Sequence, residues 1–510
     1  MSSLGDIPAR GNDASPTLGL RPARFATILS LILAGVAWFA AAHQLSERRH
    51  VPDLTVLWFA LSLCAVPFCC FRPSSSYGVR LDFFQPGTVF ALYFSVYVLI
   101  PAYHVWQNLD YQSTWVDPSW PRERLFNSAF ALSLLGLAAF GLGYRTRAGA
   151  FLRPFDLPQL GRLARSLSPI STAAIPTLLV VGLAFKLKHL AAIGGLSSNT
   201  LLFLSPTFTS ESGVRIGGIP SFLETFFDWG VLLLVFRAVV SGKHKGRTLL
   251  LVAIAVLFGY LLSPKRSAVM PFFLFPLIWY HYLRRNITFG RAILYAAAGG
   301  IVMALFLFAR IVGYHLANPS ASSPDAITAI AAQPVTFYLA AGEFAVFDMT
   351  MLAIQDRQVI LPMIGGPFWG ALHYNFAPLL YLIPRFLWAG KPAFSDLGQV
   401  FFQVSVGGRE DVGFAVGIVG ALYTFGGLLG VLVGTYIVGL SFGWVYDLLR
   451  PWKATARRVF AYAIFFWMAF QFLRFGTLGF TLLLFIQTQL ISVVAILLLV
   501  PHDRAVNPAR

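Results

Sequence analysis

Apolar runs of about the length of a bilayer-crossing helix recur from one end of this chain to the other, and they fix what it can fold into. A helix needs roughly 20 apolar residues to cross a hydrocarbon core of about 30 Å. Twelve runs qualify: Phe25–His43, Leu54–Phe71, Pro86–Tyr103, Leu125–Tyr144, Ile170–Leu190, Ile219–Val240, Thr248–Ser263, Ala268–Leu283, Ala292–Val312, Phe414–Tyr446, Val459–Leu473 and Thr477–Val500. Between the ninth and tenth lies Gly313–Asp411, the one long stretch without a clean span. The expected fold is an all-α polytopic transmembrane protein of about twelve helices. Residues 1–510 form a single integral-membrane domain, with a large extramembrane loop at about 313–411.

Composition agrees with the lipid bilayer as solvent. Of the residues, 57% are hydrophobic and 12% charged, about half the charge of a soluble domain. The net charge of +17 would suggest nucleic acid in a soluble protein; here it is read as topology, with no nucleic-acid partner. With the N-terminus in the cytoplasm, the dense clusters Arg145 to Arg165, Arg237 to Arg247 and Arg450 to Arg458 all fall inside. The positive-inside rule therefore predicts cytoplasmic N- and C-termini. The first 20 residues are polar, so Phe25 onward is expected as a retained first span, without a cleaved leader. Cys64, Cys69 and Cys70 share one span and supply neither a disulfide framework nor metal-ligand spacing.

Charges on the opposite face carry the chemistry. Thr248–Leu283 is slightly short for two spans and a loop, which holds Lys265 and Arg266 of the turn Ser263-Pro264-Lys265-Arg266-Ser267 at the membrane surface, opening the next helix. A helix start disfavours cations yet gathers anions on its free amides, so the pair fits an anion bound between them. The alternative is a snorkelling pair. Arg474 repeats the pattern in the turn before the last span, while Arg310 sits near a helix C-terminus, where the dipole already favours a cation. Glu224 and Asp228, four apart, share one helix face. They are either functional intramembrane carboxylates or salt-bridge partners of Lys186 or Lys188. In the loop, Glu343, Asp348, Glu410 and Asp411 are candidate bases, and Val335–Ala353 and Pro367–Ile383 are apolar enough for interfacial or re-entrant helices. Span ten is too long for one crossing, so it begins outside the membrane or breaks at Gly426-Gly427. The rings of Phe368, Trp369, Tyr374, Phe376, Tyr381, Phe386 and Trp388 suit a membrane interface or sugar faces.

No Walker A, HExxH, paired-Cys or Asp-x-Asp motif occurs, so neither a metal nor a cofactor is expected. An enzyme of this kind would stabilise a leaving pyrophosphate with cationic side chains.

Four stretches resemble the Wzy-type O-antigen and oligosaccharide repeat-unit polymerases of bacteria, membrane glycosyltransferases of the GT-C class. They are LLSPKRSAVM around Arg266, IPRFLWAGKP at Ile383–Pro392, LYTFGGLLGVLVG at Leu422–Gly434 and RFGTLGFTLLLF from Arg474. Together they cover Ser263 to the C-terminus. Some members carry an Arg-x10-Gly pattern, which Arg409 with Gly420 fits; Arg215 and Arg385 depart from it, so a duplicated arrangement is absent.

The resemblance implies an inner-membrane, metal-independent polymerase making an O-antigen, capsule or exopolysaccharide, with the large loop periplasmic. A growing glycan would move from undecaprenyl pyrophosphate onto the next lipid-linked repeat unit, with a chain-length regulator as a possible family partner. In that reading Lys265, Arg266 and Arg474 neutralise the pyrophosphate, with Arg310 in the same outer cationic set. Arg385 and Arg409 position glycan or head group. The base would be Glu410, Asp411 or Asp228, in that order. An O-antigen ligase, and a flippase or transporter of lipid-linked sugars, are the competing readings.

Overall fold

The computed structural model describes residues 53–71, 82–107, 122–146, 171–192, 222–241, 245–262, 266–288, 290–292, 294–295, 297–302, 305, 345–380, 396–406, 414–449 and 456–488. Among these the regular structure is all helix. Helix α1 is Asp53–Cys70. Helix α2 runs through Pro86–Phe94, a π-helical turn at Ser95–Leu99 and Ile100–Gln107. Then come α3 Arg122–Arg145, α4 Ser171–Ala192, α5 Phe222–Ser241, α6 Lys245–Leu262 and α7 Arg266–Leu283. The short helices α8 Val346–Gln355, α9 Arg357–Met363, α10 Pro367–Leu380 and α11 Leu397–Val406 follow, then α12 Gly417–Leu449, α13 Ala456–Phe475 and α14 Leu478–Thr488.

Four segments are long and apolar enough to cross a membrane: Pro86–Trp106, Arg124–Arg145, Gly417–Leu449 and Arg458–Phe475. The protein is membrane-embedded on that count. Helices α1, α4, α5, α6 and α7 coincide to within a few residues with five further expected spans. The first expected span, Phe25–His43, lies outside the described residues. Helix α2 begins where the sequence starts it, because Pro86 sits at its first position with no amide to satisfy.

The core is the α3–α12 pair, flanked by α1, α2, α8 and α13. Their backbones touch. An ideal Cβ added to Gly143 would lie 2.0 Å from the Tyr436 carbonyl oxygen, and one on Gly439 would lie 2.2 Å from that of Phe140. Without water to drive helices together inside a bilayer, such close approach supplies the van der Waals contact that holds them. Phe140 stacks on Phe90 of α2, ring centroids 3.9 Å apart, and meets Phe442 of α12 edge-on at 5.8 Å.

At one end of this bundle a buried carboxylate ties three helices, α2, α7 and α12, together. Asp82, just before α2 and 6% exposed, accepts the Phe84 amide at 2.9 Å and the Tyr282 hydroxyl at 2.7 Å. The Tyr446 hydroxyl donates to it as well. His281 Nδ1 accepts the Ile287 amide at 3.1 Å, which leaves the proton on Nε2, 3.4 Å from Asp82 Oδ1. Tyr462 donates to the Phe84 carbonyl and Tyr144 to Gln85 Oε1. The start of α2, the ends of α3, α7 and α12 and the start of α13 therefore meet on one side. These are helix ends that the alternation of spans assigns to a single face. Sequence reasoning did not single out Asp82, whose only signal is a lone acid before a Pro-started span.

Helix α12 has 33 residues, about 50 Å at 1.5 Å per residue. It starts at Gly417, three residues later than the expected Phe414, and it breaks where the paired glycines predict. Gly427 has φ 59° and ψ −148°, a region essentially reserved for glycine.

The described part of the 313–411 segment is not a pendant loop. Helix α8 is wedged into the bundle, with Phe347 fully buried against Phe126 and Phe130 of α3 at 5.5 and 6.0 Å. Its ten residues reach about 15 Å, half a bilayer core. Helix α10 instead leaves Phe368, Trp369, Leu372, Phe376 and Leu379 exposed on an uncharged helix, as an interfacial segment would.

Candidate functional site

The other end of the bundle holds Arg474, one of the cations that the sequence marks as chemical. Helix α13 ends there on Arg474, where a cation suits the helix dipole. Gly476, at φ 80°, closes it by returning its amide to the Phe472 carbonyl at 2.9 Å. Only glycine fits, since a Cβ would come within 2.4 Å of the Gly417 carbonyl oxygen. The half-buried Arg474 guanidinium is held over Phe475 at 5.0 Å and over Tyr97, in the π-turn of α2, at 5.9 Å. One amide of the following helix start is already engaged: Asn375 of α10 accepts the Leu478 N–H at 2.9 Å.

Helix α7 opens at Arg266, as the turn predicts. The Arg266 side chain lies outside the described residues, as do Lys265, Arg310, Arg385, Arg409, Glu410 and Asp411 in full. Arg474 and Asp228 are thus the expected site residues whose surroundings the structure gives.

Asp228 takes the salt-bridge alternative. Its Oδ2 lies 3.1 Å from Nζ of Lys186, which is 4% exposed. One turn away, Glu224 Oε1 meets His189 Nδ1 at 2.9 Å. The acids are spaced i,i+4 on α5 and their partners i,i+3 on α4, which makes a two-rung ladder. Its rungs close because Gly182 lets the helices touch; a Cβ there would lie 2.0 Å from the Phe227 amide nitrogen. Lys186 thus holds one oxygen of Asp228, while the other, Oδ1, is buried with no hydrogen-bond partner among the described residues.

Two other acids stand out. Asp348, in the first turn of α8, and Asp396, before the first turn of α11, are each pushed up to about 7, in both cases mainly by burial. For Asp396 the amides of Leu397 and Gly398 pull the other way. Sequence reading marked Asp348 among several loop acids and passed over Asp396.

Arg357, at the start of α9, explains how α12 survives its break. A helix interrupted at Gly427 leaves the carbonyls of the preceding turn without their amides. Arg357 Nε donates to two of them, Tyr423 O and Thr424 O, both at 3.1 Å. Its guanidinium carbon also lies 5.9 Å over the Tyr423 ring, and a Cβ on Gly427 would approach it to 4.0 Å. Arg357→Met keeps most of the stem and removes the donors. It should cost about 1–3 kcal/mol, read as a lowered urea midpoint of the detergent-solubilised chain. An unchanged midpoint would mean that water satisfies the break.

No family model, curated protein or solved structure matches the chain, so the function rests on the residues and on the resemblance in its C-terminal half.

Proposed function

We propose that the chain is a polytopic inner-membrane glycosyltransferase of about twelve spans, GT-C-like in build. It polymerises undecaprenyl-pyrophosphate-linked oligosaccharide repeat units into a surface polysaccharide at the periplasmic face. The observation that carries this reading is the pair of cationic helix-terminal turns. Helix α7 opens at Arg266, and α13 closes on Arg474 within cation–π distance of two aromatic rings. Both turns belong to the stretches that resemble the polymerase family. In the proposed reaction Lys265, Arg266 and Arg474 stabilise the departing polyprenyl pyrophosphate. Arg310, Arg385 and Arg409 form the rest of the substrate-binding set, and no metal or cofactor takes part.

The test is purified full-length protein in liposomes, supplied with a polyprenyl-pyrophosphate-linked repeat unit and neither nucleotide nor metal. A ladder at integer multiples of the repeat is the expected product, and Arg266→Ala should abolish it while membrane insertion stays normal. An unextended substrate would remove the polymerase reading. Transfer to an added lipid-core acceptor in its place would mark a ligase.

A second reading, export or flipping of lipid-linked sugars, draws on the break in α12. Discontinuous helices mark substrate sites in transporters, and Gly427 interrupts an otherwise continuous apolar helix. Transport of an intact, unpolymerised lipid-linked unit into the lumen of the same liposomes would favour it.

A further inference from the structure

We propose that Asp396 is the general base that takes the proton from the acceptor hydroxyl, an assignment that rests on the polymerase reading. Helix α11 begins with a reciprocal cap. The Asp396 amide donates to Gln399 Oε1 at 2.9 Å and the Gln399 amide returns to the Asp396 carbonyl at 3.0 Å, with the Leu397 and Gly398 amides close enough to favour the charged carboxylate. The carboxylate oxygen Oδ1 is buried and has no hydrogen-bond partner among the described residues, in a side chain only 9% exposed.

A buried acceptor left open is costly, at about 1–3 kcal/mol, unless something brings it a donor. A carboxylate oxygen takes an O–H or N–H, and the acceptor sugar of the proposed reaction brings hydroxyls. The Phe414 amide, three residues after Asp411, donates to the Gly398 carbonyl at 3.1 Å, and Gly398 is so close that a Cβ would lie 2.0 Å from the Phe414 carbonyl oxygen. The entry to α12 is therefore tied to the helix start that Asp396 caps. Burial holds the carboxyl at about 7, suited to accepting a proton near neutrality. Neither Asp348 of α8 nor Asp356 and Arg357 of α9, the charged groups on helices packed against α11, forms an ion pair with it among the described residues.

In the step itself, the acceptor hydroxyl oxygen attacks the anomeric carbon of the growing glycan as its proton passes to Asp396 Oδ1. The bond from that carbon to the pyrophosphate oxygen breaks, and the electron pair leaves with polyprenyl pyrophosphate. The proton is later released to solvent.

The experiment compares full-length wild type, Asp396→Asn and Asp396→Ser in liposomes with the lipid-linked repeat. Asparagine and serine are both good helix caps, so the fold is kept while the base is lost. Chain growth should fall on the order of 10²–10⁴-fold in both variants, with unchanged urea midpoints. Added formate should restore part of the rate in Asp396→Ser, where it fills the vacated carboxylate position, but not in Asp396→Asn, where the amide blocks it. Growth at the wild-type rate in Asp396→Asn overturns the assignment, and so does loss in Asp396→Ser that formate does not relieve, which would make Asp396 a structural cap. A wild type that makes no ladder overturns the polymerase reading itself, and the base assignment with it.

Discussion

Asp82→Ala should destabilise the protein by about 3–5 kcal/mol, the scale seen when one partner of a buried charged network is removed. The carboxylate accepts from the Phe84 amide and from the hydroxyls of Tyr282 and Tyr446, and it faces His281 Nε2. Alanine leaves all of these donors buried with nothing to receive them. Each stranded donor costs about 1–3 kcal/mol, and partial relaxation keeps the total below their sum. Asp82→Asn should cost less than alanine but more than a surface change, because its amide nitrogen presents a donor to a ring of donors. Tyr446→Phe removes one donor from an otherwise satisfied site and should cost about 1 kcal/mol. Urea unfolding of the detergent-solubilised chain, followed by tryptophan fluorescence, reads all three. Asp82→Ala within about 0.5 kcal/mol of wild type would mean that the carboxylate does not hold α2, α7 and α12 together.

Gly143→Val should be comparably damaging, at about 3 kcal/mol or more, the upper range for overpacking. The first atom of any side chain at 143 would lie 2.0 Å from the Tyr436 carbonyl oxygen and 3.0 Å from the Leu440 amide nitrogen. Both obstacles are backbone, so no rotamer change makes room; α3 and α12 must part. Separation also pulls Phe140 away from Phe442 and disturbs its stacking on Phe90. The control is Gly136→Ala on the same helix, where a Cβ meets side-chain methyls of Val419 and Val431 at 3.4 Å and of Thr435 at 3.5 Å. That change should stay within about 1 kcal/mol. Equal losses at the two positions would show that helix propensity, not the backbone contact, governs the pair.

The two readings of function separate on product chemistry, and the structural predictions hold under either. The ladder assay and the comparison at Asp396 report on transfer chemistry. Asp82, Gly143 and Arg357 report on the frame that holds the cationic end in place.

Much of the frame was readable before folding. The length of each apolar run set where helices lie, because a backbone in lipid must satisfy its own hydrogen bonds and a helix does so within the segment. Pro86 set the start of α2 and the Gly426-Gly427 pair set the break in α12, since both act on local backbone geometry. Glu224 and Asp228 were legible as one helix face. The sequence offered Lys186 or Lys188 as a salt-bridge partner, and that Lys186 takes Asp228 depended on the height at which α4 packs beside α5, which i,i+4 spacing does not contain. The same gap hid Arg357, whose role exists only because the break in α12 falls next to the start of α9. It hid Asp396 as well, which reads as an ordinary loop acid until burial leaves one of its oxygens without a donor among the described residues. The Asp82 junction is the clearest case. Its partners stand 200 and 364 residues away, and neither hydrophobic period nor local motif connects them. Helices and breaks follow from neighbours along the chain. Buried polar partnerships depend on which faces of distant helices meet, so tertiary packing alone decided them.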